Sequence, residues 1–244
     1  MSADPWAGIR ATTQARIGLR RSGYALSTRE VLDFQAAHAA ARDAVHLPLP
    51  VAEIVTGLER LGLGAVRHVT SRAADRAEYL RRPDLGRVPA ALDGLEHTGA
   101  DLGILVADGL SATAVTEHAV ALVEAVIARN GGVLTLAPPV VATQARVALG
   151  DHIGAALGVR TMLTVIGERP GLSVANSLSI YLTHHPAPGR RDSERNCVSN
   201  IHPPEGQGYE AAARIALTLV AGARELGVSG VALKDNSSPH PELT

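Results

Sequence analysis

The stretch V-R-T-M-L-T-V-I-G-E-R-P-G-L at 159–172 decides the fold class of this chain. Residues 159–166 are mostly apolar and predict a buried β-strand, and Pro170-Gly171 turns the chain soon afterwards. Glu168 and Arg169 follow the strand directly, so it would hold both charges at its carboxyl end. Open α/β sheets bind ligands at that edge. For these residues alone, an ordinary turn with a solvated ion pair is the alternative.

Strand and helix patterns alternate through the rest of the second half, as in a parallel sheet with crossover helices. Ser111 follows the turn D-G-L and is predicted to cap a helix rather than to act as a nucleophile. The sequence therefore predicts an α/β fold with a Rossmann-like, mostly parallel sheet and flanking helices. The predicted strands are 102–107, 133–137, 159–166 and 230–233, and the predicted helices are 112–128, 151–157 and 209–226.

The first part of the chain has a different pattern. A capping box, S-T-R-E at 27–30, predicts a helix that ends before L-P-L-P at 47–50, and a second helix is predicted at 51–61. The stretch 66–95 is dense in charge and is expected to be a connection or contact surface without a core of its own. The predicted organisation is a flexible arm at 1–20, a helical segment and connection at 21–97, and a Rossmann-like domain at 98–244.

Composition excludes several classes of protein. With 23 basic and 24 acidic residues among 244, the formal charge is -1, and only 2% of residues are aromatic, so nucleic-acid binding is not expected. A single cysteine cannot form an internal disulfide, which favours an intracellular protein. No apolar run of about 18 residues occurs, and the start has no signal-peptide pattern. We therefore expect neither a membrane protein nor a secreted one.

The usual motifs of catalysis and phosphate binding are missing. Neither G-x-G-x-x-G nor a P-loop follows any predicted strand, which disfavours an α/β oxidoreductase, and G-x-S-x-G is missing too. The pairs His184-His185 and Asp151-His152 are expected to be solvated loop histidines rather than metal ligands. Cys197 lies in the polar string R-N-C-V-S-N without a recognisable histidine base. No catalytic residue and no metal ligand are predicted.

Four strings together resemble the small subunit of ethanolamine ammonia-lyase. They are R-V-A-L-G-D at 146–151, I-G-E-R-P-G-L at 166–172, S-L-S-I-Y-L-T at 177–183 and E-R-N-C-V-S-N-I at 194–201. Upstream strings at 29–49, 76–87 and 106–112 look like the same family in the same order. The resemblance thus covers nearly the whole chain from residue 20 onward.

The resemblance implies an enzyme that converts ethanolamine to acetaldehyde and ammonia by a radical mechanism with adenosylcobalamin. In that family the chain partners a large subunit, which carries a TIM barrel and the substrate site, with six copies of each chain. The domain at 98–244 would then cover the cobalamin from one side. Val147, Glu168 and Cys197 match the family's cobalamin-contact positions. The expected location is the cytoplasm, free or within a bacterial microcompartment.

The chemistry of cobalamin agrees with these three positions. Its ring is rimmed by amides, which need acceptors such as Glu168, while Val147 would supply apolar contact beside Gly150. A thiol hydrogen is an easy target for a carbon radical, so Cys197 is expected at the ring's rim or the nucleotide tail. The string D-H-I-G at 151–154 lacks the spacing D-x-H-x-x-G, so the cofactor is expected to keep its own base. A free-standing α/β binding module without catalysis is the alternative function.

Overall fold

The computed structural model describes residues 4–19 and 21–235. Residues 1–3 and 20 of the predicted arm, and 236–244 of the predicted domain, lie outside the described residues. The helices are α1 Ala7–Arg10, α2 Thr28–His46, α3 Val51–Glu59, α4 Arg76–Arg81, α5 Ala112–Asn130, α6 Leu149–Leu157 and α7 Tyr209–Leu226. The strands are β1 Arg21–Ser22, β2 Ala25–Leu26, β3 Arg67–Thr70, β4 Leu102–Ala107, β5 Val140–Thr143, β6 Thr161–Gly167, β7 Leu178–His184 and β8 Asn196–Ile201.

Six of the strands form one twisted sheet in the order β3-β5-β4-β6-β7-β8. The first four run parallel to one another, and β7 and β8 complete the sheet in antiparallel orientation. Every residue of β4 and β6 is buried, as expected for central strands covered on both faces. The predicted α/β class, with a mostly parallel sheet and flanking helices, is confirmed.

The helices divide between the two faces of the sheet. Side chains of α3, α5 and α7 pack on one face, and those of α6 pack on the other. Along β4 the side chains alternate accordingly, with Ile104 and Val106 facing the first layer and Leu105 and Ala107 the second. The core is mostly aliphatic because the chain contains few aromatic residues.

The helix boundaries follow the local signals. Ser27 and Glu30 form the predicted capping box at the start of α2, and the Ser111 side chain accepts a hydrogen bond from Ala114 N at 3.1 Å. Helix α5 ends at Gly131, whose φ of 54° lies in the left-handed region that glycine adopts without strain. Both predicted caps are therefore confirmed.

Two predicted strands are wrong. Residues 133–137 form a bend, in which the Asn130 side chain bonds both the N–H and the C=O of Leu134, and then a single isolated bridge from Leu136 to Leu102. The strand β5 begins only after Pro138-Pro139. Residues 230–233 form a turn, and Val231 is 72% exposed. An apolar run was mistaken for a strand in each case.

The charged stretch 66–95 contributes more to the fold than its composition indicated. Its residues 67–70 form β3, which pairs with β5 at the edge of the sheet, and Tyr79 of α4 is fully buried. The expectation that this stretch is only a connection or surface is therefore wrong. The division into an arm, a helical segment and an α/β domain stays a prediction. No helix within the described ranges is both long and apolar enough to cross a membrane.

The expectation of solvated loop histidines holds for His185, which is exposed in the bend after β7, but not for His184 or His152. His184 is the last residue of β7 and is 6% exposed, with its ring bonded to Thr161 Oγ1 at 2.8 Å. Burial lowers the pKa of His184 to about 4, so its ring is neutral in ordinary buffers. Asp151 and His152 belong to α6. Across the described residues, no cluster of three or more His, Cys, Asp or Glu side chains could hold a metal ion.

Candidate cofactor site

An open cavity of about 530 Å³ lies where the parallel and antiparallel parts of the sheet meet. One wall is formed by the chain that leaves the carboxyl ends of β4 and β6, and by the loop between β5 and α6. The other wall is one face of β7 and β8, since alternate residues of a strand share a face. The lining residues are Tyr79, Gly109, Leu110, Arg146, Val147, Ile166, Gly167, Glu168, Arg169, Ser179, Tyr181, Cys197 and Ser199.

Val147, Glu168 and Cys197, the three predicted site residues, all line this cavity. They come from separate elements, namely the loop before α6, the end of β6 and the strand β8. The fold therefore brings together residues that are up to 50 positions apart in the sequence. Whether these side chains contact a cofactor stays a prediction.

The Glu168 carboxylate is held in place by three hydrogen bonds. One oxygen accepts from the Ser177 hydroxyl, and the other accepts from the Ser179 hydroxyl and from Asn200 N, the last at 2.9 Å. A carboxylate has about four acceptor positions, so one stays available to a ligand. Within the described part of the chain, no ion pair joins Glu168 to Arg169, which removes the solvated ion pair considered from the sequence.

Two glycines allow the turn after β4 to pack against the end of β6. Gly109 has a φ of 54°, and a Cβ added there would lie 2.3 Å from the carbonyl oxygen of Gly167. A Cβ on Gly167 would lie 2.2 Å from the carbonyl oxygen of Ser111. Any larger residue at either position would therefore displace the backbone that carries Glu168. Gly150, in contrast, packs α6 on the sheet, where an added Cβ would lie 2.5 Å from Thr164 Oγ1.

The loop that carries Val147 is anchored by the buried Asp108. Its carboxylate accepts hydrogen bonds from Gln144 N at 2.8 Å and Ala145 N at 2.9 Å, and it pairs with Arg76 Nη1 at 2.9 Å. Burial raises the pKa of Asp108, and the Arg76 cation and the two backbone donors oppose that shift. These contacts fix the course of the chain just before Val147.

Tyr79 forms the floor next to that loop. Its hydroxyl donates to Ala145 O at 2.9 Å, and the guanidinium groups of Arg76 and Arg146 lie 4.9 and 4.5 Å from its ring centroid. Burial raises the pKa of Tyr79 above its ordinary value, so the hydroxyl stays protonated and keeps donating. The ring thus supports two cations at the base of the cavity.

The antiparallel wall is lined by hydroxyl and thiol groups. The Cys197 thiol contacts the side chains of Ser179 and Tyr181, and partial burial of the sulfur raises its pKa. Burial also raises the pKa of Tyr181, to about 12. Both groups are therefore protonated near pH 7, and a protonated thiol is a weak nucleophile. This wall offers hydrogen-bonding partners rather than an activated nucleophile.

A buried ion pair connects the two walls. Arg195, one residue before β8, donates to both carboxylate oxygens of Asp151 in α6, at 2.6 and 2.7 Å. It also donates to Thr183 Oγ1 at 2.8 Å and to Arg190 O at 2.9 Å. The pair holds the helix that follows Val147 against the antiparallel strands. Neither residue was predicted as part of the site, although both belong to strings that carried the family resemblance.

Sequence reasoning also missed most polar side chains of the antiparallel wall. Ser179 and Tyr181 on β7, and Ser199 on β8, line the cavity together with Cys197. In S-L-S-I-Y-L-T at 177–183, which contains Ser179 and Tyr181, the polar and apolar residues largely alternate, which is the pattern of a strand with one polar face. That period of two was the signal that could have found these two residues.

Comparison with known proteins agrees with these motifs. A family model described as ethanolamine ammonia-lyase light chain matches residues 3–234. The chain is 56% identical over 234 residues to the ethanolamine ammonia-lyase small subunit of Rhodococcus erythropolis, covering 96% of this chain and 91% of the relative. Small subunits from Bradyrhizobium diazoefficiens and Rhodopseudomonas palustris are 51% and 48% identical, covering 96% and 94% of this chain and 92% and 89% of theirs. The chain therefore belongs to the ethanolamine ammonia-lyase small-subunit family.

Proposed function

We propose that this chain binds and encloses adenosylcobalamin in a complex that converts ethanolamine to acetaldehyde and ammonia by a radical mechanism. Membership of a small-subunit family implies a large-subunit partner. The observation that carries the assignment of the site is the convergence of Val147, Glu168 and Cys197 on one cavity. The same three positions are those that the sequence resemblance implies as cobalamin contacts.

The lining of the cavity fits the edge of a corrin ring. Glu168 has an acceptor position left for a side-chain amide of the ring, and the Ser179 hydroxyl, which donates to Glu168, still has lone pairs to accept from another. Val147, Leu110 and Ile166 supply apolar surface for the ring's hydrocarbon rim. The cavity is open, so this chain would cover one side and the large subunit would cover the rest.

Each residue has a definite task in this arrangement. Glu168 orients the ring through its amides, Val147 excludes water from its edge, and the hydroxyl groups bind the polar rim. Bound adenosylcobalamin supplies the radical chemistry, which proteins do not provide from their own side chains. The chain itself contributes orientation and enclosure, and we assign it no general acid, general base or nucleophile.

Cys197 is assigned to the rim or nucleotide tail of the cofactor, away from the adenosyl group. Its thiol lies against Ser179 and Tyr181 in the antiparallel wall. A thiol close to the adenosyl group would exchange its hydrogen with the cofactor during turnover. Turnover in deuterated water should therefore leave the recovered deoxyadenosine free of thiol-derived deuterium, and incorporation dependent on Cys197 would contradict this placement.

The cofactor is expected to keep its own base on cobalt. No histidine is among the lining residues of the cavity in the described ranges. Electron paramagnetic resonance of bound cob(II)alamin tests this directly, because a protein imidazole labelled with ¹⁵N-histidine would change the nitrogen coupling. An unchanged coupling is expected, and a changed one would show that a histidine replaces the base.

The partner is proposed to be a large subunit with a TIM barrel that carries the substrate site, with six copies of each chain in the assembly. The location is proposed to be the cytoplasm, either free or within a bacterial microcompartment. A cavity open on one side supports a two-chain enclosure, since a radical has to be kept from water and stray hydrogen donors.

Acetaldehyde formation from ethanolamine and adenosylcobalamin tests the proposal. Three samples are assayed, namely this chain alone, the large subunit alone, and the two chains together. Activity only in the mixture is expected, because neither chain encloses the cofactor by itself. A folded, cofactor-loaded mixture without activity, together with tight ligand binding by this chain as a monomer, would favour the free-standing binding module instead.

A further inference from the structure

Arg146 presents an unsatisfied cation to the cavity. Its guanidinium lies 4.5 Å from the centroid of the Tyr79 ring, and its backbone N–H donates to Gly86 O at 2.8 Å. Its Nε is buried and has no hydrogen-bond partner. Within the described part of the chain, the Arg146 side chain makes no ion pair and no hydrogen bond, so its position is fixed while its donors are unused.

Two neighbouring arginines show the contrast. Arg76 stacks on the same Tyr79 ring, but it pairs with Asp108 at 2.9 Å and donates to Val45 O at 2.7 Å. Arg195 is neutralised by a two-bonded contact with Asp151. A buried donor without a partner is costly and is usually explained by a ligand or water. Arg76 Nη2 and Arg195 Nε are also buried without a partner, but each of these two arginines pairs with a carboxylate. Of the three, Arg146 is the one that has no carboxylate partner within the described residues and that lines the cavity.

The orientation of Arg146 suits an oxyanion. The Arg146 Cζ lies over the Tyr79 ring, and the planar guanidinium carries, besides the buried Nε, two terminal nitrogens for which no hydrogen bond is found within the described part of the chain. Phosphate groups are well matched to such a planar set of donors. Arg169 lines the same cavity and adds a second cation. Glu168 is the one acidic residue among the described lining residues, and its two oxygens already accept from Ser177, Ser179 and Asn200.

We propose that Arg146, with Arg169 as the second cation, binds the phosphodiester of the nucleotide tail of cobalamin. The inference rests on the proposed function, because it concerns the same cavity and the same cofactor. It divides the cavity into two subsites. Glu168 and the hydroxyl groups receive the amides of the ring, and the arginines receive the single phosphodiester anion of the tail.

Three adenosyl corrinoids with the same ring test this division. They are adenosylcobalamin, adenosylcobinamide phosphate, which lacks the base, and adenosylcobinamide, which lacks both base and phosphate. Equilibrium dissociation constants are measured by ultrafiltration and visible absorbance on the assembled two-subunit complex. The variants are Arg146→Gln, which removes the charge, Arg146→Lys, which keeps the charge but not the planar set of donors, and Arg129→Gln, an exposed residue of α5 outside this cavity.

Arg146→Gln should weaken binding of the two phosphate-bearing ligands about tenfold to a hundredfold. It should leave adenosylcobinamide within about threefold of wild type, since that ligand has no anion to lose. Arg146→Lys should recover part of the loss, and Arg129→Gln should bind all three ligands as wild type does. If Arg146→Gln does not assemble, Arg146→Lys and Arg169→Gln provide the same comparison of ligands.

The experiment distinguishes failure of the phosphate assignment from failure of the proposed function. If Arg146→Gln weakens all three ligands equally, or none of them, the phosphate assignment is wrong and the proposed function still stands. If the wild-type complex retains none of the corrinoids, the proposed function itself fails. The comparison of ligands, rather than activity, therefore decides the inference.

Discussion

The parallel half of the sheet and its antiparallel edge provide the two walls of the cavity in different ways. In the parallel half, β4, β5 and β6 are buried, and only the chain beyond their carboxyl ends reaches the cavity. In the antiparallel edge, β7 and β8 present one whole face, with Ser179, Tyr181, Cys197 and Ser199 at alternate positions. The first wall is a set of loop ends, and the second is a strand surface.

The difference shows why the two walls need to be tied together. Loop ends move more easily than a paired strand face. The Arg195–Asp151 ion pair connects α6, which follows the Val147 loop, with the start of β8. Glu168 connects the walls a second time, because it accepts from Ser179 and Asn200 of the antiparallel edge. The shape of the cavity therefore depends on a few polar contacts across the junction.

Breaking the buried ion pair should have the largest effect. Arg195→Ala leaves the Asp151 carboxylate buried without its cation, so the free energy of unfolding should fall by about 3–5 kcal/mol. Urea unfolding of the purified chain measures this loss. Arg82→Ala is the matched control, because it removes an exposed contact with Asp84 and should change stability very little. Equal losses in both variants would contradict the proposed connection between the walls.

Removing the Glu168 carboxylate should have the second largest effect, which is weaker cofactor binding. Glu168→Ala leaves the donors of Ser177, Ser179 and Asn200 without their acceptor, and it removes the acceptor offered to the ring. The dissociation constant of adenosylcobalamin from the complex should rise about tenfold to a hundredfold. Glu168→Gln should lose less affinity for adenosylcobalamin, because its amide oxygen can still accept hydrogen bonds. The KM for ethanolamine should change little, and an unchanged cofactor dissociation constant would refute the assignment of Glu168.

The Cys197 thiol should be alkylated more slowly than an ordinary exposed cysteine. Because burial raises its pKa, the midpoint of its alkylation by iodoacetamide should lie above the ordinary thiol value of about 8.5. The rate is followed against pH by mass spectrometry of the single labelled cysteine, with the chain unfolded in urea as the reference. Added adenosylcobalamin should slow the labelling of the complex further. A midpoint below that of the unfolded chain would be inconsistent with the described environment.

His184, at the far end of β7, should give the smallest effect. Folding lowers the pKa of His184 to about 4. As the pH falls, the unfolded chain therefore takes up the His184 proton at a higher pH than the folded chain does. Its contribution to stability is complete above the ordinary histidine pKa of about 6.5 and is lost as the pH falls towards 4. The ring proton should titrate near pH 4 by nuclear magnetic resonance, and His184→Gln should remove part of the acid dependence. Titration near 6.5 would show that the ring is solvated.

The two halves of the sheet also differed in how well the sequence predicted them. Strands β4 and β6 are continuous apolar runs, which is the pattern of buried parallel strands, and both were predicted. Strand β3 is short and mostly polar and β8 is largely polar, and neither was assigned. Strand β7 was not assigned either, although its polar and apolar residues alternate. Strands β3 and β8 lie at the two edges of the sheet, where tertiary pairing rather than local hydrophobicity decides strand formation.

Prediction of the site followed the same division. Glu168 could be placed from the strand and turn around it, whereas Val147 and Cys197 were marked by resemblance alone. The contact between Asp151 and Arg195 joins residues 44 positions apart and has no local signal. The unpartnered Nε of Arg146 is visible only once its neighbours are placed. Sequence reasoning thus identified strand ends, and the fold supplied the contacts between them.

An electron cryo-microscopy structure of the two-subunit complex with bound adenosylcobalamin is the most direct test of the central claim. We expect a corrin edge lying in the cavity between the loop ends and the antiparallel face, with a ring amide bonded to Glu168 and with Val147 and Cys197 in contact with the cofactor. A corrin ring bound elsewhere, with this cavity filled by solvent or by the large subunit alone, would contradict it.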